Sequence, residues 1–225
     1  MRNRYKKVAH FSESKFRQII KCFSLDLTAS DTAEICGLSR NAINKLFNQI
    51  RQRIFVLAQK EAGEQKTSGV FECDESYFGA KLVRGKRGRE AAGKTPVFGL
   101  LKREGKVYAQ IVENCSKQGL MPIIQGKILE GSSINTDGWK AYDSLVVNGY
   151  DHYRVFHSHD EFARGKCHVN GMESFWSFAK RRMAKFNGLT DEKFYLHLKE
   201  SEWRFNHRCD SIYNLLLKEF RKNPL

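Results

Sequence analysis

The stretch Val70–Phe78 (VFECDESYF) constrains the fold most, because it places three acidic residues inside an apolar and aromatic run. β-Branched and aromatic residues in such a run predict a strand. Side chains alternate along a strand, so Glu72 and Asp74 share one face and Glu75 lies on the other. Acidic side chains inside an apolar strand cost free energy unless they are paired or bind a metal. The chain is therefore expected to form a sheet whose first strand carries carboxylates that need a cation.

The segments after this strand predict a mixed sheet flanked by helices. Two further strands enclose the turn Glu104-Gly105, as in a β-hairpin, and the apolar spacing then alternates between helical and strand patterns. The predicted elements are the strands Thr95–Arg103, Lys106–Val112, Ser132–Asp137 and Tyr153–His157, and the helices Lys117–Leu129, Trp139–Val146, Cys167–Met183 and Asp191–Arg208. Together with the first strand, this order gives an α/β domain with five strands.

Acidic residues recur where these elements would meet. Asp74 lies on the first strand, Asp137 ends the fourth, and Glu173 lies on the helix after the fifth. If the first and fourth strands are neighbours, Asp74 and Asp137 stand side by side, and the helix offers Glu173. Three carboxylates arranged in this way can hold two divalent cations about 4 Å apart, as two-metal phosphoryl transfer requires. Hard oxygen ligands predict Mg²⁺ or Mn²⁺, with two ions expected.

The helix that carries Glu173 has a polar edge beside its apolar stripe. Glu173 and Lys180 are seven residues apart and therefore share a face. Asn170 lies one turn before Glu173. By itself this pattern suits either a metal ligand beside a phosphate contact or a solvated surface pair.

Residues 1–58 predict a small helical domain that contains a helix-turn-helix. Between Ala29 and Asn48, Ala33 suits a close helix crossing, Gly37 suits the turn, and Ser39 can cap the second helix. The start of that helix would enter the major groove of DNA. Its exposed residues are Arg40, Asn41, Asn44 and Lys45. A helical bundle with no role in DNA binding is the alternative.

A polar segment at 59–68 predicts a linker, and residues 69–225 are then the catalytic domain with C-terminal helices. The net charge of +14 is spread over both parts and indicates a polyanionic partner, most commonly nucleic acid. The Gly-rich segment 79–94 is too basic to form a core and suits phosphate contact. Outside the first domain, the residues predicted to contact DNA are Lys81, Arg84, Lys86, Arg87, Arg89, Lys94, Lys180, Arg181 and Arg182.

Other classes of protein are excluded by absences in the sequence. No apolar run reaches 18 residues, so no membrane span is predicted. The N-terminus has no apolar signal-peptide core, and a cytoplasmic protein is expected. The six cysteines include no CxxC pair, which excludes a zinc ribbon within the chain.

Three segments, CDESYFG, NTDGWKAY and HVNGMESFWSFAKRR, together resemble the catalytic motifs of short bacterial insertion-sequence DDE transposases. The resemblance runs from about Val70 to Arg208. Asp137 and Glu173 have 35 residues between them, a spacing similar to that of the family. Lys180 matches the lysine of a DDE-K signature. The resemblance implies a ribonuclease-H-like catalytic domain, although the N-terminal zinc ribbon of many relatives is missing.

The resemblance also implies an activity. A transposase of this type binds the terminal inverted repeats of its insertion sequence, cuts there to free 3′-hydroxyls, and joins them to target DNA. Asp74, Asp137 and Glu173 would then be metal ligands, and Lys180 would contact DNA near the cut. The partner would be double-stranded DNA, with a homodimer or larger assembly on it, because two ends are joined. A nuclease of the same fold and a DNA-binding regulator are the alternatives.

Several residues keep two interpretations. Some relatives use asparagine as the third ligand, so Asn170 is the alternative to Glu173. His168 could orient a water or a phosphate, or could form a structural contact at the helix start. Glu75 could be an accessory acid or a structural residue. Core positions are expected for Trp139, Tyr142 and Trp176. Packing roles are expected for Trp203 and Arg204, and contact with DNA is the alternative.

Overall fold

The computed structural model describes residues 3–8, 10–63, 65–79, 94–137, 140–155, 169–186 and 188–225. They form two compact units, which we call the helical unit (Met1–Glu61 and Lys185–Leu225) and the sheet unit (Ala62–Ala184). In chain order the elements are α1 (Glu13–Ser24), α2 (Ala29–Cys36), α3 (Arg40–Ala62), β1 (Val70–Phe78), β2 (Thr95–Lys102), β3 (Val107–Ile111), α4 (Lys117–Lys127), β4 (Ser133–Asp137), β5 (Asp151–Val155), α5 (Asn170–Met183), α6 (Asp191–Asn206) and α7 (Ile212–Lys222).

The sheet unit contains five strands in the order β3-β2-β1-β4-β5. The pairs β1–β2 and β2–β3 are antiparallel, whereas β1–β4 and β4–β5 are parallel. This is the mixed sheet of a ribonuclease-H-like fold, and the predicted fold class is confirmed. Cys73 pairs with Thr136 across the parallel strands. The next residue of each strand is an aspartate, so Asp74 and Asp137 are neighbours on the sheet.

The two faces of the sheet carry different helices. On one face, Phe71 and Cys73 of β1 form an apolar core with α4, to which Leu120 and Ile124 contribute. On the other face, α5 lies so close to β2 that a Cβ atom at Gly99 would stand 2.7 Å from the Trp176 ring. A residue without a side chain is therefore required at this crossing. The close approach brings α5 to the face of β1 that carries Asp74.

The segment after β4 differs from the predicted helix Trp139–Val146. Two short 3₁₀ helices, Lys140–Tyr142 and Val146–Asn148, occupy this region instead. Tyr142 and Leu145 are both fully buried. The Leu145 amide donates to the Tyr142 carbonyl at 3.0 Å, so the turn between the two helices keeps the three-residue spacing of a 3₁₀ helix. The predicted positions Trp139 and 156–157 lie outside the described residues.

The helical unit begins with α1, α2 and α3, and a hydroxyl side chain caps the start of each helix. The Ser12 hydroxyl accepts from the backbone of α1, and Thr28 forms a capping box with Asp31 at α2. Gly37 ends α2 with a left-handed φ of 62°, and the Ser39 hydroxyl accepts from the amide of α3. Helices α2 and α3 are therefore joined by a three-residue turn, and their role as a DNA-binding helix-turn-helix stays a prediction.

The C-terminal helices belong to this unit and not to the sheet unit. The predicted catalytic domain extended to residue 225, but α6 and α7 pack against α1 and α3. The Phe16 and Phe220 rings lie 5.9 Å apart, and the buried Glu200 accepts from Arg51 at 2.7 Å and Arg204 at 2.8 Å. Apolar faces from both chain ends form this single core. Helix α3 also continues to Ala62, so the predicted linker 59–68 begins as helix.

Two smaller expectations can be compared with the structure. Trp203 and Arg204 are 2% and 7% exposed, and both pack inside the helical unit as predicted. Among the described helices, none combines the length and the apolar character that crossing a membrane requires.

Candidate active site

Three carboxylates meet at the end of β1. One oxygen each from Asp74, Glu75 and Asp137 lies within 4.8 Å of the other two. All three side chains are half-buried. The parallel pairing of β1 with β4 brings the two aspartates together, and β1 itself supplies the glutamate. The predicted adjacency of Asp74 and Asp137 is thus present in the structure.

Asp74 is held by two donors. The indole Nε1 of Trp176 donates to its Oδ2 at 3.0 Å, and the backbone amide of Glu75 donates to its Oδ1 at 2.9 Å. Burial, followed by the negative charge of Asp137, raises the pKa of Asp74 to about 6, and Glu173 adds to this rise. The hydrogen bonds only partly offset these effects. The site therefore concentrates negative charge that a cation would stabilise.

Helix α5 lines the same site with its polar edge. Glu173 is exposed, and its charge acts on Asp74. Burial lowers the pKa of Lys180, while the charge of Asp74 opposes that change. The Lys180 ammonium lies 6.0 Å from the centre of the Phe78 ring at the end of β1. Glu173 and Lys180 thus both act on Asp74, which favours the site interpretation over a solvated surface pair.

Glu75 and Tyr142 form a second contact that supports the site. The Tyr142 hydroxyl donates to Glu75 Oε1. Tyr142 is fully buried, and its burial raises the pKa of the hydroxyl well above the ordinary value, so it stays a donor. Tyr142 and Trp176 were predicted only as core residues. A buried phenol or indole needs a polar partner. The adjacent acidic residues Asp74 and Glu75 of β1 were the sequence signal for such partners.

The comparison with known proteins identifies the family. The family model described as "ISXO2-like transposase domain" matches residues 66–206. This chain belongs to that family. It is 41% identical over 120 residues to an uncharacterized transposase-like protein of Haemophilus influenzae, a match that covers 53% of this chain and 97% of the relative. It is 28% identical over 161 residues to an uncharacterized protein in transposable element ISH50 of Halobacterium salinarum, covering 64% of this chain and 54% of that protein.

Solved structures with a similar arrangement are more distant. The catalytic core domain of BIV integrase is 14% identical, with a TM-score of 0.39 over 69% of this chain and 98% of the integrase chain. The Mos1 strand transfer complex contains a chain that is 12% identical, with a TM-score of 0.31 over 90% of this chain and 78% of that one.

The cluster in this ISXO2-like transposase fits divalent cations. Its donors are carboxylate oxygens, which Mg²⁺ and Mn²⁺ prefer. A cation here would meet oxygens of Asp74 and Asp137 from adjacent strands. The predicted third ligand, Glu173, is exposed on α5 and is not part of this cluster, and the alternative, Asn170, is also exposed, one turn earlier. Burial is the main cause of the raised pKa of Asp74, and the negative charge of Asp137 is the next. A bound cation would offset that second cause. Glu75, at the same cluster, is a further available oxygen donor.

A buried glutamate positions the helix that carries Glu173. Glu72 is 1% exposed. Its Oε2 accepts from the backbone amide of Met172 at 3.1 Å, and its Oε1 accepts from Arg103 Nε at 3.2 Å. The N-cap residue of α5, Val169, forms no capping hydrogen bond through its side chain. Strand β1 therefore holds Asp74 directly, and it fixes the first turn of α5 through Glu72.

We expect Glu72→Ala to lower the free energy of unfolding by about 2–3 kcal/mol, because it leaves a buried amide and a partly buried guanidinium without their acceptor. Glu72→Gln keeps one acceptor and should lose less. Urea unfolding measures both. Glu113→Ala, at an exposed position, is the control and should stay within about 0.5 kcal/mol of the wild type. Equal stability of Glu72→Ala and the wild type would show that Glu72 does not hold α5.

The basic residues predicted to contact DNA are only partly described. Lys94 is half-buried, and its charge lowers the pKa of Lys180, so the two lie near each other. Arg181 is exposed, whereas Arg182 is 3% exposed and does not present a free DNA-contacting surface. Arg182 follows Phe175 by seven residues, so it falls on the buried stripe of α5. Outside the described residues lie Lys81, Arg84, Lys86, Arg87, Arg89 and His168.

Proposed function

We propose that this transposase catalyses DNA strand cleavage and strand transfer at the ends of its insertion sequence, with Mg²⁺ or Mn²⁺ as cofactor. The carboxylate cluster of Asp74, Glu75 and Asp137 carries this proposal, with the two aspartates on adjacent parallel strands. Glu173 is exposed on α5, outside that cluster, and we propose that it joins the aspartates when the cations bind. Membership in a transposase family supports a reaction on DNA phosphodiesters. Two ions held by these carboxylates would activate the attacking water or 3′-hydroxyl and stabilise the charge of the leaving oxygen.

The protein side chains have distinct roles in this proposal. Asp74, Asp137 and Glu173 hold the cations, and Asn170 is the alternative third ligand. Trp176 orients the Asp74 carboxylate through its indole N–H. The pKa of Lys180 responds to the charge of Asp74, and we propose that Lys180 contacts a DNA phosphate next to the cut. These groups act by positioning and by charge, which are the main contributions a protein makes to phosphoryl transfer.

Recognition of the inverted repeats is assigned to α2 and α3. The four residues predicted to read DNA, Arg40, Asn41, Asn44 and Lys45, are all exposed at the start of α3. Behind them, Ile43 and Phe47 are buried and fix the helix. A helix presented in this way suits the major groove. Because two ends must be joined, we propose a homodimer or larger assembly on DNA.

The proposal is tested with purified protein, Mg²⁺, a labelled duplex that carries an end of the insertion sequence, and a target plasmid. We expect joined products with the wild type, and a loss of about a thousandfold or more with Asp137→Asn and Glu173→Gln, since an essential cation would no longer be held. Glu113→Gln is the control and should join normally. Normal joining by both variants would contradict the metal assignment.

The same assay separates the two alternative functions. Cleavage of the labelled duplex without joining would indicate a nuclease of the same fold. Binding of the duplex with neither cleavage nor joining would favour a DNA-binding regulator.

A further inference from the structure

A basic cavity lies within the helical unit, beside the start of α3. Its volume is about 570 Å³. Arg40, Asn44 and Lys45 of α3 line it, together with Lys185 and Lys193 from the C-terminal part of the chain. Residues near the two ends of the sequence therefore share one surface. The sequence alone did not suggest this, because the C-terminal helices were predicted to belong to the catalytic domain.

The charges around this cavity are only partly neutralised. Five cationic side chains line it, and no acidic residue appears among the described residues that do so. Arg51 is paired with Glu200 at 2.7 Å, and Lys185 with Asp26 at 2.8 Å. The other three are Arg40, Lys45 and Lys193. Within the described part of the chain, none of these three forms a salt bridge.

Lys193 lines the cavity but does not belong to α3, the helix proposed to read DNA. It lies in the first turn of α6 and is exposed. Its neighbours Asp191 and Glu192 are acidic, but neither lines the cavity. Lys193 thus presents an unneutralised positive charge on the same cavity as Arg40 and Asn44. A polyanion that passes along the start of α3 would meet it.

We propose that residues 188–197 complete the DNA-binding surface, with Lys193 contacting the phosphate backbone of the duplex whose bases α3 reads. This inference rests on the proposed reading of DNA by α3 and adds a second, sequence-independent contact from the C-terminal segment. A recognition helix in the major groove has phosphates on both sides, and contacts to those phosphates fix its register. The ligand class is the phosphodiester backbone of double-stranded DNA.

The test measures equilibrium binding of the full chain, without divalent cations, over a series of salt concentrations. The duplexes are one with the end of the insertion sequence and one with the same bases in scrambled order. We expect Lys193→Ala to weaken binding to both duplexes by a similar factor, about fivefold to tenfold, and to reduce the slope of log affinity against log salt by about one. Asn44→Ala should weaken binding to the end duplex selectively.

Lys218→Ala is the matched control, because it removes the same charge from an exposed position of α7 that does not line the cavity. It should bind like the wild type. Equal binding by Lys193→Ala and Lys218→Ala, with a loss in Asn44→Ala, would overturn the role of residues 188–197 and leave the proposed role of α3 intact. No loss in any variant would overturn both. Tighter binding of a single-stranded RNA of the same sequence would overturn the assignment to duplex DNA.

Discussion

Replacing Asp74 by asparagine is expected to stabilise the protein when divalent cations are absent and to abolish strand joining. The folded state raises the pKa of Asp74 from 3.8 to about 6. It therefore disfavours the charged carboxylate that it must hold at neutral pH. Removing the charge should raise the free energy of unfolding by on the order of 1–2 kcal/mol, after allowance for solvent screening. Joining should be lost because a proposed metal ligand has been removed.

The pH dependence follows from the same shift. Between pH 3.8 and about 6 the folded state binds more protons at Asp74 than the unfolded state. The contribution of this group to stability therefore falls as pH rises through that window, and it stays low above it. A bound cation requires the ionised form, so Mg²⁺ should raise Tm at pH 7.5 more than at pH 5.

Thermal unfolding with EDTA or with Mg²⁺ measures both effects. Asp151→Asn is the control, because it makes the same chemical change at an exposed position of β5. It should respond to Mg²⁺ as the wild type does, whereas Asp74→Asn should not respond. This account would be contradicted if Asp74→Asn had a lower Tm than the wild type in EDTA. It would also be contradicted if Mg²⁺ raised the Tm of Asp74→Asn as much as that of the wild type.

Gly99→Ala is expected to disrupt the site from β2, the strand on which Gly99 pairs with Asp74. A Cβ atom there would stand 2.2 Å from Met172 Cε and 2.7 Å from Trp176 Cζ2. The end of a methionine can move, but the indole is held by its bond to Asp74 and by its packing against β2. The substitution should lower the free energy of unfolding by about 1–3 kcal/mol through overpacking. Joining should fall further than stability, because Trp176 must leave Asp74.

Urea unfolding and the joining assay together test this expectation. Gly126→Ala is the control: it lies on an exposed face of α4, and an added Cβ atom would meet nothing within 4 Å. It should raise stability slightly, by about 0.5–1 kcal/mol, because alanine favours a helix. If Gly99→Ala behaved like Gly126→Ala, the close approach of α5 to β2 would not be required.

The central part of the sheet could be predicted because its signals are local. Alternation along Val70–Phe78 assigned Asp74 to a face of the sheet. The sequence also placed Asp137 at the C-terminal end of a short strand. That the first and fourth strands are neighbours was only a condition at that point, because strand order depends on the whole sheet, and the structure meets it. The burial of Arg182 was also available from helical periodicity, but its place beside Lys180 and Arg181 suggested a basic surface.

Other features depend on contacts between distant parts of the sequence. Glu72 caps α5 through Met172, which lies 100 residues away, and neither residue type indicates the other. The amphipathic patterns of α6 and α7 predict that each helix buries a face, but not which helices cover it. Their packing with α1 and α3 therefore could not be read from the sequence, and neither could the cavity that Lys193 shares with α3.

The most direct test of the central claim is a titration of the full chain with Mn²⁺. Binding is measured as the decrease of the free-ion signal in electron paramagnetic resonance. The account expects Mn²⁺ to bind the wild type and Asp151→Asn alike. Asp137→Asn and Glu173→Gln should bind at least about tenfold more weakly, since even the loss of an outer partner of a metal ligand costs that much. If Asn170→Ala weakens binding and Glu173→Gln does not, Asn170 is the third ligand. Unchanged Mn²⁺ affinity in Asp137→Asn would contradict a metal centre at these carboxylates.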